Sequence, residues 1–134
     1  RAHREKGLTV LNVGNAHTFA ALVKEDRLLG IYEHHTGLLT PAKLAGHLGR
    51  FQAGELKHQE IFDDNGHGCV IHPDYRREPP FTFTIITGPR RSLAREWPGV
   101  FAAPCGDMML TGCFGLAAAW LEKTYGPASG EGLC

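Results

Sequence analysis

Seven residues that bind metals or move protons fall in three short stretches: His17; Glu33, His34 and His35; and Asp63, Asp64 and His67. Imidazole and carboxylate groups are ligands for Zn²⁺, Mn²⁺ and Fe²⁺. Imidazole also titrates near neutral pH and serves as a general base. None of the spacings matches a helical His-Glu-x-x-His pair, so the ligands would have to come together in space. Two assignments follow. His17, His35, Asp64 and His67 make a catalytic rim, or a transition metal takes ligands from His34, His35, Asp63 and His67. The competing structural role is that His34 or His35 closes a strand end by hydrogen bonding to backbone.

A second chemistry is carried by glycine-bearing segments: Leu11-Asn-Val-Gly-Asn-Ala-His-Thr18, Ile85-Ile-Thr-Gly-Pro-Arg-Arg91 and Met108-Met-Leu-Thr-Gly-Cys-Phe-Gly-Leu-Ala-Ala-Ala119. Each lies where a regular element gives way to a loop and backbone N–H groups become free to hold a phosphate. Gly14 to Thr18 can wrap such a group, with the Thr18 hydroxyl adding a donor. The alternative for that stretch is a glycine-assisted hairpin turn. Arg90 and Arg91 can meet phosphate or ribose, or remain a solvated pair. Gly112 and Gly115 inside a helix cost about 1 kcal/mol each against Ala. With Ala119 they form a small-residue face on which another lobe can dock.

The elements that must position these residues are legible from pattern. Residues 8–13, 18–23 and 28–32 are apolar runs joined by short turns, which predicts an antiparallel three-strand meander. Thr40 caps a helix with Pro41 at its first position, Leu44, Leu48 and Phe51 on one face, and Gly54 at its end. Residues 56–62 predict a short helix with Ile61 and Phe62 inward, and 63–68 a loop. Residues 72–80, with three prolines, are irregular; 81–87 is a β-branched and aromatic central strand. A short helix at 90–97, a brief strand at 100–103 and a long helix at 107–125 complete the pattern. A meander followed by strand–helix–strand–helix predicts an α/β, ribonuclease-H-like mixed sheet flanked by helices.

Fourteen basic and fourteen acidic side chains cancel in the 134 residues, so no global field favours nucleic acid or an anionic membrane. No run approaches the roughly 18 apolar residues that span a bilayer. Residues 1–7 read as a linker or tag remnant, 8–125 as one domain and 126–134 as a flexible tail, so the chain is expected to be part of a longer protein. Cys69, Cys105, Cys113 and Cys134 form no Cys-x-x-Cys pair, which predicts reduced cytoplasmic thiols and no iron–sulfur cluster.

The three glycine segments, in this order, resemble the second lobe of the actin-like ATPases, the superfamily of sugar kinases, actin and the heat-shock chaperone ATPases. The resemblance covers residues 8–124. It implies ATP with Mg²⁺ as ligand, held at Asn12, Gly14, Asn15, Thr18, Gly88 and Arg90. It also implies a missing N-terminal lobe as partner, or a homodimer in its place. Two positions depart from the superfamily pattern. Asn12 replaces an acid that positions Mg²⁺ or water, and Pro89 replaces a second glycine. Both predict slow or absent ATP turnover. More narrowly, Asn15-Ala-His-Thr18, Glu33-His-His-Thr-Gly37 and Asp64-Asn-Gly-His-Gly68 resemble a prokaryotic family labelled pyruvate formate-lyase activating enzyme-like.

Overall fold

The computed structural model describes residues 2–126. The meander forms as the pattern predicts: β1 (Leu8–Val13), β2 (His17–Lys24) and β3 (Arg27–His35) pair antiparallel in sequence order. β3 runs three residues past the end expected at residue 32, to His35. Glu33, His34 and His35 find ladder partners in Phe19, Thr18 and His17. Glu33 also pairs with Gly68 of β4 (Gly68–Ile71), an edge strand that local pattern did not show. Partners so distant in sequence lengthen a strand without leaving a local signature.

The helix α2 (Pro41–Gln52) has the predicted cap, the Thr40 hydroxyl accepting from the Lys43 N–H at 3.2 Å. Leu44, Leu48 and Phe51 are buried against the sheet. α3 (His58–Asp63) buries Ile61, but Phe62 is 59% exposed, contrary to the inward anchor expected of it. At its end the Asn65 and Gly66 N–H groups return to the carbonyls of Phe62 and Ile61, closing the predicted turn. Gly66 is required there because a Cβ would lie 2.6 Å from the His34 ring.

β5 (Thr84–Thr87) lies parallel to β1, on the side away from β2, and β6 (Val100–Phe101) parallel to β5. The sheet order is β4-β3-β2-β1-β5-β6. β5 is shorter than the strand expected at 81–87. Residues 81–83 are held by Thr9 of β1, its N–H donating to the Phe83 carbonyl at 2.8 Å and its hydroxyl to the Phe81 carbonyl at 2.7 Å. The Phe81 N–H donates to the Tyr75 hydroxyl at 3.0 Å. The buried Gln52 amide donates to the hydroxyls of Thr9 and Thr84, so one polar cluster joins α2, β1 and β5. The helix expected at 90–97 is reduced to a 3₁₀ turn, Arg91–Ala94.

The stretch read as a linker holds a helix, α1 (Ala2–Lys6), whose His3 stacks on Phe83 with centroids 3.7 Å apart. α4 (Thr111–Tyr125) starts four residues later than expected and buries none of its side chains. Of the tail expected at 126–134, Gly126 ends α4 and 127–134 lie outside the described residues. The result is a mixed α/β fold with its core between the sheet and α2 and α3, built around Leu11, Leu22, Tyr32, Leu48, Phe51 and Ile86. The opposite sheet face leaves Phe19, Ile31 and Val70 exposed. No helix among the described residues is long and apolar enough to cross a membrane.

Candidate functional site

His17 opens β2, His35 closes β3, and the register makes them direct partners across the ladder. His67 arrives from the α3–β4 loop, its N–H donating to the Glu33 carbonyl at 3.1 Å. The three rings converge. Centroids of His17 lie 4.9 Å from those of both His35 and His67, and the His35–His67 separation is 4.6 Å. One nitrogen from each ring lies within 4.8 Å of the other two. His17 and His67 are exposed and His35 is half-buried. The His35 imidazolium is disfavoured, first by desolvation and then by His67 and His17 beside it. A shallow groove of about 170 Å³ continues from His67 along Glu33, Ile31 and Val70.

His34 is separated from this cluster because adjacent strand residues face opposite ways. It is fully buried on the helix side, with Nε2 3.0 Å from Asp64 Oδ2 and Nδ1 3.2 Å from the His35 carbonyl. Lys43 Nζ donates to both Asp64 oxygens, at 2.9 and 2.8 Å. That ammonium, ahead of the His34 contact, holds the Asp64 carboxyl below its ordinary range. Asp63 accepts from Gln59 Nε2 at 2.7 Å. The metal set read as His34, His35, Asp63 and His67 is therefore divided. Only His35 and His67 of it come together, and His17 takes the third place. Asp64, assigned with His17, His35 and His67 to a catalytic rim, instead fastens the 63–68 loop to α2 and β3. Lys43 and His47 had no local signal, since each meets its partner only when α2 packs on the sheet. The Tyr32 hydroxyl lies 3.0 Å from His47 Nδ1, and burial pushes its pKa up.

The phosphate-loop candidates sit at the same end of the sheet. The Gly14 N–H donates to the His17 carbonyl at 2.9 Å, which makes 14–17 a closed hairpin turn. The Thr18 hydroxyl is buried and bonded to Thr36 Oγ1 at 2.9 Å, so it does not face a ligand as the sequence suggested. Asn12 is half-buried on the open face, and Asn15 is exposed at the turn. Gly88 packs on Val13, and the Arg90 N–H donates to the Val13 carbonyl at 2.9 Å, leaving the Arg90 side chain exposed. Arg91 turns away, donating to the Ala102 carbonyl at 2.8 Å. A larger cleft of about 460 Å³, between α2 and the 91–97 segment beside Trp97, touches none of these residues.

A family model described as "Putative pyruvate format-lyase activating enzyme (DUF1786)" matches residues 1–93. The chain belongs to this family. The matched span includes β1 to β5 and all three converging histidines, and it stops before β6 and α4. No curated protein matches the chain.

This member of the family should lose stability in mild acid. His35 and His47 both have lowered pKa values; for His47 burial is the first cause and His34 the second. A folded value below the unfolded one, about 6.5, means that the unfolded chain binds the proton more readily. Their contribution is therefore complete above that value and is lost as pH falls below it. Melting temperatures measured across a pH series should be level above neutrality and decline toward pH about 5. His47→Gln should flatten part of that decline; an unchanged slope would exclude His47 from it.

Proposed function

We propose that the chain is a nucleotide- or phosphometabolite-binding lobe related to the actin-like ATPases. The observation that carries this is strand order and direction: an antiparallel β3-β2-β1 meander with β5 and then β6 parallel to β1 on its other side. That order and direction support the ribonuclease-H-like reading that the resemblance implies. Ligands of open α/β sheets bind beyond the carboxyl ends of parallel strands. Here those ends carry the 14–17 turn after β1 and the Gly88 turn after β5.

The residues present do not fit Mg²⁺. Asn12 offers a neutral amide, and the Thr18 hydroxyl is held by Thr36. An anion fits better, because Asn15 and Arg90 stand exposed at this end. We therefore assign binding without efficient hydrolysis. A radical-activating role, which the family description names, would call for clustered cysteines. Cys69 is buried, its thiol pushed up to about 12 first by desolvation, and Cys113 is exposed on α4. The described cysteine side chains do not fit an iron–sulfur cluster. In the two-lobed architecture each lobe supplies half of the ligand contacts. The open sheet face with Phe19, Ile31 and Val70 is the side we assign to the missing N-terminal lobe, with a second copy as the substitute.

Calorimetric titration with ATP, ADP and inorganic phosphate, with and without Mg²⁺, tests this. Binding near 1 mM, about −4 kcal/mol, is expected for the lone lobe. Arg90→Ala should weaken it several-fold through the lost charge-assisted contact, and ATP turnover should stay at background. Efficient ATP hydrolysis by the chain, or no binding of any phosphate compound, would contradict the assignment.

A further inference from the structure

We propose that His17, His35 and His67 form a mononuclear site for a divalent transition metal, with Zn²⁺ the best-fitting ion. The inference does not rest on the nucleotide-binding assignment: His17 lies in the same 14–17 turn, but the imidazoles are distinct from the Asn15 and Arg90 side chains given to that ligand.

The donor set selects the ion. Three imidazole nitrogens suit Zn²⁺, Cu²⁺, Fe²⁺ or Ni²⁺, whereas Mg²⁺ and Ca²⁺ require oxygen ligands. The geometry is close to closure. Tetrahedral Zn–N bonds of about 2.0–2.1 Å place neighbouring nitrogens roughly 3.3 Å apart. The three nitrogens already lie within 4.8 Å of one another, a gap that small side-chain rotations close.

The supports are independent of the rings. Ladder pairing sets the His17 and His35 backbones opposite each other, and the His67 N–H is tied to the Glu33 carbonyl. The loop carrying His67 is anchored on the far side of the sheet by Asp64, which both Lys43 and His34 contact. Gly66 permits the close approach to His34 that brings this loop in.

Electrostatics agree. Glu33 stands two residues before His35 on the same strand face, adding negative charge beside a bound cation. Two of the three rings are exposed, so a fourth coordination position opens to solvent. Such a position takes water, whose pKa a His-bound Zn²⁺ lowers to about 7, or an oxyanion of a small ligand.

The test is a titration of the full chain, first freed of metal by a chelator, with Zn²⁺ and with Co²⁺. One ion per chain is expected, with the visible d–d absorption of tetrahedral nitrogen-ligated cobalt. His17→Ala, His35→Ala and His67→Ala should each weaken Zn²⁺ binding about 100-fold. His58→Ala and His72→Ala, at exposed histidines outside the cluster, should leave it unchanged. Zn²⁺ should raise the melting temperature of the wild type and not that of the His35→Ala variant. If a variant fails to fold, magnetic resonance of the wild-type chain decides. Added Zn²⁺ should move the imidazole signals of His17, His35 and His67 and leave the other five of the eight histidines in place. Fewer than one ion per two chains, undiminished binding by the triple variant, or signal changes at other histidines instead would overturn the proposal.

Discussion

Gly88→Ala is expected to lower the melting temperature by about 10 °C or more, corresponding to roughly 3 kcal/mol. Gly88 ends β5 with φ +100, a conformation that costs any L side chain. A Cβ there would lie 2.4 Å from the Val13 carbonyl oxygen and 2.8 Å from the Val13 nitrogen. Both are β1 backbone, which cannot rotate aside as a side chain would. Relief requires β5 to move away from β1, which breaks the parallel pairing at Asn12 and Thr87. It also breaks the Arg90–Val13 bond that sets the direction of the following turn. Thermal unfolding of the variant measures the effect. A change of only one or two degrees would show that the turn relaxes freely. Weaker phosphate binding with a native melting temperature would place the effect on Arg90 alone.

Phe51→Ala is the second large effect, about 3–5 kcal/mol and a melting temperature lowered by roughly 10–20 °C. Phe51 is fully buried in the core between α2 and the sheet. Its ring centroid lies 6.1 Å from that of Tyr32, and its edge fills the space over Gly30, where a Cβ would sit 3.3 Å from it. The truncation leaves a cavity whose walls are two regular elements, and such walls collapse poorly. Chemical denaturation should show a lower midpoint at an unchanged slope, because the surface exposed on unfolding barely changes. A loss under about 1 kcal/mol would mean that α2 closes over the void. Phe51→Leu should recover most of the loss.

Phe51 also illustrates what local pattern supplies. Its place on the buried face of α2 follows from the spacing of Leu44, Leu48 and Phe51, and the start of that helix from Thr40 and Pro41. These signals are local because helix hydrogen bonds and capping link residues three or four apart. The meander was legible for the same reason, its turns being short and its first strands apolar.

What sequence could not show was set by distant pairing. Local pattern ends the third strand at Tyr32, which leaves His34 and His35 outside it. Pairing with β2 and with Gly68 carries it to His35 instead. That extension decides the chemistry. In a loop His34 and His35 can share a ligand; in a strand they must face opposite ways. His34 consequently goes into the core with Asp64 and Lys43, and His35 goes to the open face with His17 and His67. The same alternation directs the Thr18 hydroxyl inward, to Thr36.

The sequence by itself determined the types of the main elements β1, β2, α2, α3 and β5, the α2 cap, the meander, and that histidines and acids are concentrated near 17, 33–35 and 63–67. Only the tertiary structure decided which of them meet. Residue type and helical period are written locally. The sheet register that pairs His17 with His35, and the return of the α3–β4 loop that adds His67, are fixed by hydrogen bonds and burial between segments far apart in the chain.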